Sequence, residues 1–218
     1  MTPDEIQSLF TRAEGEYLFA RWGRPLAPVV FGVEEDTLKT VKGAFEALCV
    51  LAGHQMAETD PELGSNCMVF LFRDWGELLE VPDLDRLIPD LEDLVGRLAE
   101  TGANQYRAFR FDDAGAIQAA FVLLRIDRAL AAQPAEELAL AQVAQVMLVW
   151  GEDAFADRSP LALAGDRVIL RPEIAAVIRA AYDPVLPAAT RAPGHALRVF
   201  ARAQAEAQDG MPANRRPR

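Results

Sequence analysis

The chain has 218 residues, of which 51% are hydrophobic and 25% charged, the composition of an ordinary globular domain. Its 33 acidic and 22 basic residues give a net charge of -11, which disfavours nucleic acid as a partner because phosphate binding depends on clustered lysine and arginine. No apolar run is long enough to span a membrane and the first residues do not resemble a signal peptide, so we expect a cytoplasmic protein without a membrane span. The partner classes that remain are a protein or a small polar ligand.

Histidine and cysteine are scarce, with two of each in the whole chain. A zinc site needs about three or four such ligands at a recognised spacing, and the sequence has no CxxC pair, no glycine-rich nucleotide loop and no GxSxG turn. We therefore expect no metal and no cofactor. Two arrangements stay open, namely Cys67 with His54 as a nucleophile and its base, and Cys49, Cys67 and His54 as metal ligands. The apolar run that begins at Cys67 favours a buried structural thiol instead.

The first elements in chain order are two helices separated by a strand. Thr2 is a helix cap, and the helix that follows it is predicted to run to about Ala13 or beyond. A short strand is predicted over residues 26–31. A longer helix is predicted between the cap Asp36 and Gly53, because apolar residues recur there at helical spacing and glycine commonly ends helices.

An acidic segment follows the buried strand that the apolar run Cys67–Phe72 predicts. Residues 74–101 contain nine acidic and two basic side chains together with leucines at helical spacing, so we expect an acidic helical insert bent at Pro89. Its surface is a candidate interaction patch for a basic protein partner, although a solvated helix face explains the same pattern. The residues that represent this patch are Glu77, Glu80 and Glu92.

The second half of the chain begins with a predicted hairpin, because β-rich runs at 105–111 and 117–126 flank a short Asp/Gly turn. The second run is apolar on both faces and is expected in the middle of its sheet. The remaining predicted elements are a helix over 136–150, a small hairpin at Gly165, a helix that begins at Pro172 and a last helix over 194–208. Together they predict one α+β domain over residues 1–209, with a mixed sheet and C-terminal helices, and a disordered tail at 210–218.

The helix predicted over 136–150 carries two glutamines among apolar residues on all sides of its axis. A helix that is apolar all round is buried, so Gln142 and Gln145, which share a face, must find hydrogen-bond partners inside the protein. An unsatisfied buried amide costs about 1 to 3 kcal/mol. The partners are either the sheet, which would fix the position of the helix, or a bound polar ligand. With Glu137, these glutamines are the candidate binding residues.

Three short stretches carry a resemblance to a known family: residues 136–147, residues 178–187 with their Tyr-Asp-Pro sequence, and Arg21-Trp22 before the first strand. Over about residues 21–187 the chain resembles an uncharacterised proteobacterial family of degenerate zincin-like domains. The resemblance implies a metallopeptidase-like scaffold that has lost its HExxH motif. The order of the predicted elements suggests the same scaffold. The residues at the motif's first His, Glu and second His are Ala141, Gln142 and Gln145. Alanine cannot bind zinc, and a neutral amide cannot act as the base.

From these patterns we expect a non-catalytic binding or protein-interaction domain without zinc hydrolase activity. The alternative is a small cytoplasmic enzyme that uses carboxylates or Cys67 in a cleft, and a structural subunit of a larger assembly is a third possibility. An enzyme requires a cleft with converging titratable groups. An interaction domain requires an apolar or charged surface patch.

The purified protein is expected to hold no stoichiometric zinc, because two histidines and two cysteines offer no tetrahedral ligand set at a recognised spacing. Elemental analysis of protein prepared without chelators measures this directly. One tightly held zinc ion per chain would contradict the expectation.

Overall fold

The computed structural model describes residues 1–209, with side chains up to residue 205, so the tail predicted at 210–218 lies outside the described residues. The helices are α1 (Pro3–Leu9), α2 (Glu35–Ala52), α3 (Leu84–Leu87), α4 (Leu91–Glu100), α5 (Arg128–Ala131), α6 (Ala135–Val146), α7 (Pro172–Ala181) and α8 (His195–Asp209), with a 3-10 helix at Trp75–Glu80. The strands are β1 (Phe19–Ala20), β2 (Pro28–Phe31), β3 (Cys67–Phe72), β4 (Gln105–Phe111), β5 (Ile117–Arg125), β6 (Leu161–Ala164), β7 (Arg167–Leu170) and β8 (Ala189–Thr190). The expected mixed α+β architecture is confirmed.

The main sheet has four strands in the order β2-β3-β5-β4. β2, β3 and β5 run parallel, and β4 runs antiparallel to β5, to which the predicted hairpin turn connects it. The apolar strand β5 lies between two neighbours, as its sequence predicted. β4 is consequently an edge strand of this sheet.

Helices cover both faces of the sheet. On one face, Val69 of β3 and Val122 of β5 pack in a cluster of buried side chains that includes residues of α2 and α6. On the other face, Phe70 and Leu123 pack in a second cluster with leucines of the segment 74–101. Successive side chains of a strand point to opposite faces, so β3 and β5 contribute to both clusters.

Helix α2 confirms the predicted termination at Gly53. This glycine has a φ of 62°, in the left-handed region that glycine adopts without the steric cost of a Cβ. The N–H of His54 donates to the carbonyl oxygen of Cys49 (2.9 Å), which closes the last turn. The helix begins at Glu35, slightly before the cap predicted at Asp36.

The acidic segment is helical, as predicted, but it is divided into three short pieces. The breaks come at Pro82 and at the predicted Pro89, because a proline ring obstructs the preceding helical turn. Each proline is followed by an aspartate in the left-handed region, Asp83 with a φ of 58° and Asp90 with a φ of 56°. The buried leucines of these pieces form the second cluster.

The helix predicted over 136–150 is shorter in the structure, since α6 ends at Val146. The chain beyond it runs alongside β1, where the N–H of Val149 donates to the carbonyl oxygen of Ala20 (2.9 Å) and Leu148 bridges to Arg21. The residues after Val146 are buried as predicted, but from Leu148 onwards the chain pairs with the segment of β1 and is not helical. An apolar run does not by itself distinguish helix from strand.

The first helix is also shorter than predicted, because α1 ends at Leu9 and not at Ala13. The chain turns back after this helix, and the N–H of Leu18 donates to the carbonyl oxygen of Phe10 (2.8 Å). Phe10 and Leu18 thereby connect α1 to the segment that leads into β1.

The C-terminal elements follow the prediction. β6 and β7 form a hairpin around Gly165, α7 begins at Pro172, and α8 begins at His195. β8 returns to pair antiparallel with β1. Within the described range, no helix combines the length and the apolar composition that crossing a membrane requires.

Asn66 ties the segment before β2 to the loop before β3, and its side chain is fully buried. Its Oδ1 accepts from the N–H of Ala27 (2.8 Å), and its Nδ2 donates to the carbonyl oxygen of Pro25 (2.8 Å) and to the carboxylate of Asp60 (3.0 Å). Arg24 contacts the same carboxylate (3.4 Å). One amide therefore bonds three polar groups, of which the Ala27 N–H and the Asp60 carboxylate belong to buried residues.

Replacing Asn66 with alanine is expected to lower the free energy of unfolding by about 3 kcal/mol, because it leaves several buried polar groups without partners. Urea denaturation measures this loss. The matched control is Asn104→Ala, since the side chain of Asn104 is half-buried and bonds one residue, Asp127 (3.0 Å). That control should cost no more than about 1.5 kcal/mol, and equal losses in the two variants would contradict the role given to Asn66.

Candidate functional site

An open groove of about 730 Å³ runs along β4, and we call it the β4 groove. All seven residues of β4 line it, including those that point to opposite faces of the sheet, so the groove follows the free edge of the strand. The opposite wall comes from the chain that follows α6. The residues that complete the lining are Arg12, Leu18, Gln145, Val149, Trp150, Gly151, Glu152, Phe155 and Ala156.

Arg107 is the central cation of the β4 groove. Its Nη2 donates to the side-chain oxygen of Gln105 (3.1 Å) and to that of Gln142 on α6. Its Nε is buried and has no hydrogen-bond partner. Burial lowers the pKa of Arg107 to about 10, so the guanidinium is still charged at neutral pH.

Among the described residues, no carboxylate lies within ion-pair distance of Arg107; its acceptors are the neutral amides of Gln105 and Gln142. A poorly solvated charge without a counterion is costly. The uncompensated positive charge of Arg107 therefore attracts an anion to this site.

The two predicted glutamines meet different partners. Gln142 is buried, accepts from Arg107 and donates through Nε2 to the side-chain oxygen of Gln105 (3.0 Å), so it bonds side chains of the edge strand. Gln145 is half-buried, lines the β4 groove and donates to the carbonyl oxygen of Ala141 within its own helix (3.2 Å). Glu137 lies half-buried in the first turn of α6 and is not part of the groove lining.

The charged residues of the β4 groove are mainly cationic. They are three arginines and one glutamate, and Arg12 forms an ion pair with Glu152. Arg110 is exposed and donates to the carbonyl oxygen of Leu87 (2.7 Å). The groove thus carries positive charge on a chain whose net charge is -11.

The wall opposite β4 is aromatic and well packed. The Trp150 ring stacks on Phe10 with centroids 5.2 Å apart and meets Phe155 edge-on at 5.1 Å. Its Nε1 donates to the carbonyl oxygen of Ala144 (3.1 Å). At Gly151, a Cβ would lie 2.3 Å from the carbonyl oxygen of Thr11, so only glycine permits this approach to the end of α1.

A second cavity, of about 40 Å³, lies between α2, α6 and the sheet. Its walls are apolar except for Thr37 and Gln142. The amide of Gln142 is already occupied by Arg107 and Gln105, so few polar groups are available to orient a ligand. We interpret this cavity as a packing void.

Cys67 and His54 do not form a catalytic pair in the structure. Burial raises the pKa of the Cys67 thiol, which has no exposed surface, and raises that of Cys49 to about 11. The Nε2 of His54 lies 3.0 Å from the carbonyl oxygen of Arg24, and burial lowers its pKa. Across residues 1–209, no group of three or more His, Cys, Asp and Glu side chains is arranged to hold a metal ion.

The three glutamates of the predicted interaction patch have unequal roles. The Oε1 of Glu77 accepts from the backbone N–H groups of Arg73 and Asp74 (3.0 Å each), so this side chain caps the 3-10 helix. Glu80 and Glu92 are exposed. The attraction of this surface for a basic partner stays a prediction.

Replacing Gln142 with leucine is expected to lower the free energy of unfolding by about 1 to 3 kcal/mol, because it removes an acceptor from the buried guanidinium of Arg107. Adding Arg107→Met should restore part of that loss, since the charge that needed the acceptor is then gone. Urea denaturation measures both. Gln145→Leu is the matched control and should change stability by less than about 0.5 kcal/mol. A double variant less stable than Gln142→Leu alone would contradict this view of Arg107.

Comparison with known proteins returns no matching family model, no matching curated protein and no matching solved structure. The resemblance to degenerate zincin-like domains therefore stays a prediction from the sequence.

Proposed function

We propose that this chain is a non-catalytic binding domain on a degenerate zincin-like scaffold, and that its β4 groove captures an extended acidic segment of a partner protein. The observation that carries the proposal is the guanidinium of Arg107, which lies in the groove between two neutral amides and without a carboxylate at ion-pair distance. A carboxylate of the partner would supply the missing counterion.

The energetics of Arg107 support an anionic ligand. Folding has already removed much of the water around the Arg107 guanidinium, so binding a ligand does not incur that desolvation cost again. A carboxylate that arrives there forms a charge-assisted hydrogen bond that solvent screens only weakly. Gln105 and Gln142 hold the guanidinium in position before the ligand arrives. Such preorganisation reduces the entropy lost on binding.

The shape of the groove supports an extended ligand. Backbone N–H and C=O groups on the free side of an edge strand can pair with an added strand. The groove follows β4 along all of its seven residues, a length that matches a heptapeptide. On the other wall, the half-buried ring of Phe155, packed against the buried Trp150, offers apolar surface to side chains of such a segment.

The chemistry of the groove supports binding without catalysis. At the positions aligned with HExxH, Ala141 has no ligating atom, and the Gln142 amide is occupied by Arg107 and Gln105. Glu152 is the carboxylate of the groove lining and is paired with Arg12, whereas carboxylate catalysis usually requires a second acidic group. The cytoplasmic location expected from the sequence belongs to the same proposal, and the free thiols of Cys49 and Cys67 are consistent with it.

A displayed library of random heptapeptides with a fixed central glutamate provides the test. We expect selection on the full chain to enrich peptides that bind with micromolar affinity and whose binding weakens at high salt. Changing the central glutamate to glutamine, or Arg107 to glutamine, should each weaken binding at least about tenfold, as loss of a charge-assisted pair requires. Fluorescence anisotropy of labelled peptides measures the affinities.

Arg86→Gln is the matched control, because Arg86 is an exposed arginine on the acidic segment and should not affect this binding. N-methylation of alternate peptide amides separates strand pairing from side-chain capture, since a methylated amide cannot donate. The proposal is wrong if no peptide is enriched, or if enriched peptides bind Arg107→Gln as tightly as the original chain.

A further inference from the structure

His195 lies in an aromatic site between α8 and the segment that contains β1. Only 3% of the residue is exposed. Its Nδ1 is 2.9 Å from the hydroxyl of Tyr17, and its ring centroid is 4.2 Å from that of Phe19. Its Nε2 is buried without a hydrogen-bond partner, and this holds for either neutral tautomer of the ring.

A protonated imidazole has no counterion in this environment. Tyr17 supplies no negative charge, since a phenol is neutral at ordinary pH and burial raises the pKa of this one further. On α8 itself, Arg198 adds a like charge one turn further on. His195 is also the first residue of α8, where the positive end of the helix dipole disfavours a cation.

The carboxylates of the neighbouring elements are paired with other groups or exposed to solvent. Beside α8, Glu16 pairs with Arg191 (2.9 Å) and Asp183 pairs with Arg202 (3.3 Å). The acidic residue of α7 is Glu173, which pairs with Arg158. Of the two acidic residues of α1, Asp4 is exposed to solvent and Glu5 accepts from the N–H of Thr2 (2.5 Å).

We infer that His195 is an acid-sensitive latch, whose protonation releases α8 from α1 and from the segment around β1. The inference is independent of the proposed function. Release would expose apolar side chains that α8 now covers or buries, among them Ile6, Phe19 and Val199. In the docked state the helix packs against α1 and α7.

The direction of the pH dependence follows from burial. Burial, with a smaller contribution from Arg198, lowers the pKa of the docked imidazole to about 4 from 6.5. The released state therefore binds a proton first as the pH falls, so docking is strongest above pH 6.5 and weakens between 6.5 and 4. These two pKa values correspond to a roughly 70-fold weaker docking equilibrium at pH 4.5 than at pH 7.5.

Hydrogen exchange of the full chain at pH 7.5 and 4.5, corrected for intrinsic rates, provides the test. Amides over residues 198–205 of α8 should lose protection by roughly 70-fold, while those of β3 and β5 keep theirs. The double variant Tyr17→Phe/His195→Phe removes the titrating ring together with the hydroxyl that bonds it, and should abolish this selective loss. His54→Gln replaces the other histidine of the chain and should keep it.

The latch is refuted if α8 and the sheet lose protection together, or if the double variant responds to acid as the original chain does. Should the double variant not fold, an NMR titration of His195 in the original chain decides the matter. A pKa near 6.5 in the docked state would refute the latch, and a strongly lowered one together with the selective loss of α8 protection in the original chain would support it.

Discussion

The architecture depends on a single constraint, which is that β5 is apolar on both of its faces. A strand of this kind cannot lie at an edge or face water, so it requires a neighbour on each side and a helical layer above and below. β3 and β4 supply the neighbours, α2 and α6 supply one layer, and the acidic segment supplies the other. The acidic segment therefore contributes to the core, because its leucines cover a face of the sheet that would otherwise be exposed.

The same arrangement creates the candidate site. Because β5 takes the centre and the hairpin folds β4 against it, β4 is left at the margin with one free side. α6 crosses the sheet nearby, and Gln142 reaches Arg107 on that marginal strand. The chain after α6 then turns towards β1 and places Trp150 opposite β4. A buried cation, an open strand edge and an aromatic wall come together through the path of the backbone, although they are distant in sequence.

Much of the fold could be predicted from local patterns. The strand Cys67–Phe72 and the central place of β5 followed from apolar runs, and the end of α2 followed from a glycine. The end of α6 could not be predicted, because residues beyond Val146 are buried by pairing with β1, and burial alone gives the same apolar pattern in helix and strand. The break at Pro82 is not predicted from the sequence, because the periodicity of apolar residues continues across this proline.

The candidate site was accessible to sequence reasoning only in part. The need of Gln142 for a partner could be argued from a helix that is apolar all round, but the partner lies 35 residues away on another element. Arg107 itself left no signal, because an arginine that alternates with aromatic residues in a strand is typical of a solvent-facing position. The burial of His195 could not be predicted either, because the first residue of a helix is usually exposed. In the structure, the aromatic residues before and within β1 bury it.

The positive charge beside the free edge of β4 also bears on how copies of this protein behave towards each other. An unpaired strand edge invites pairing with the same edge of another molecule, which is a common route to aggregation. Two copies joined through β4 would bring Arg107 and Arg110 of one chain close to those of the other, and the repulsion between them opposes such a dimer. The arginines that would hold an acidic strand would thus also disfavour the pairing of this edge with itself.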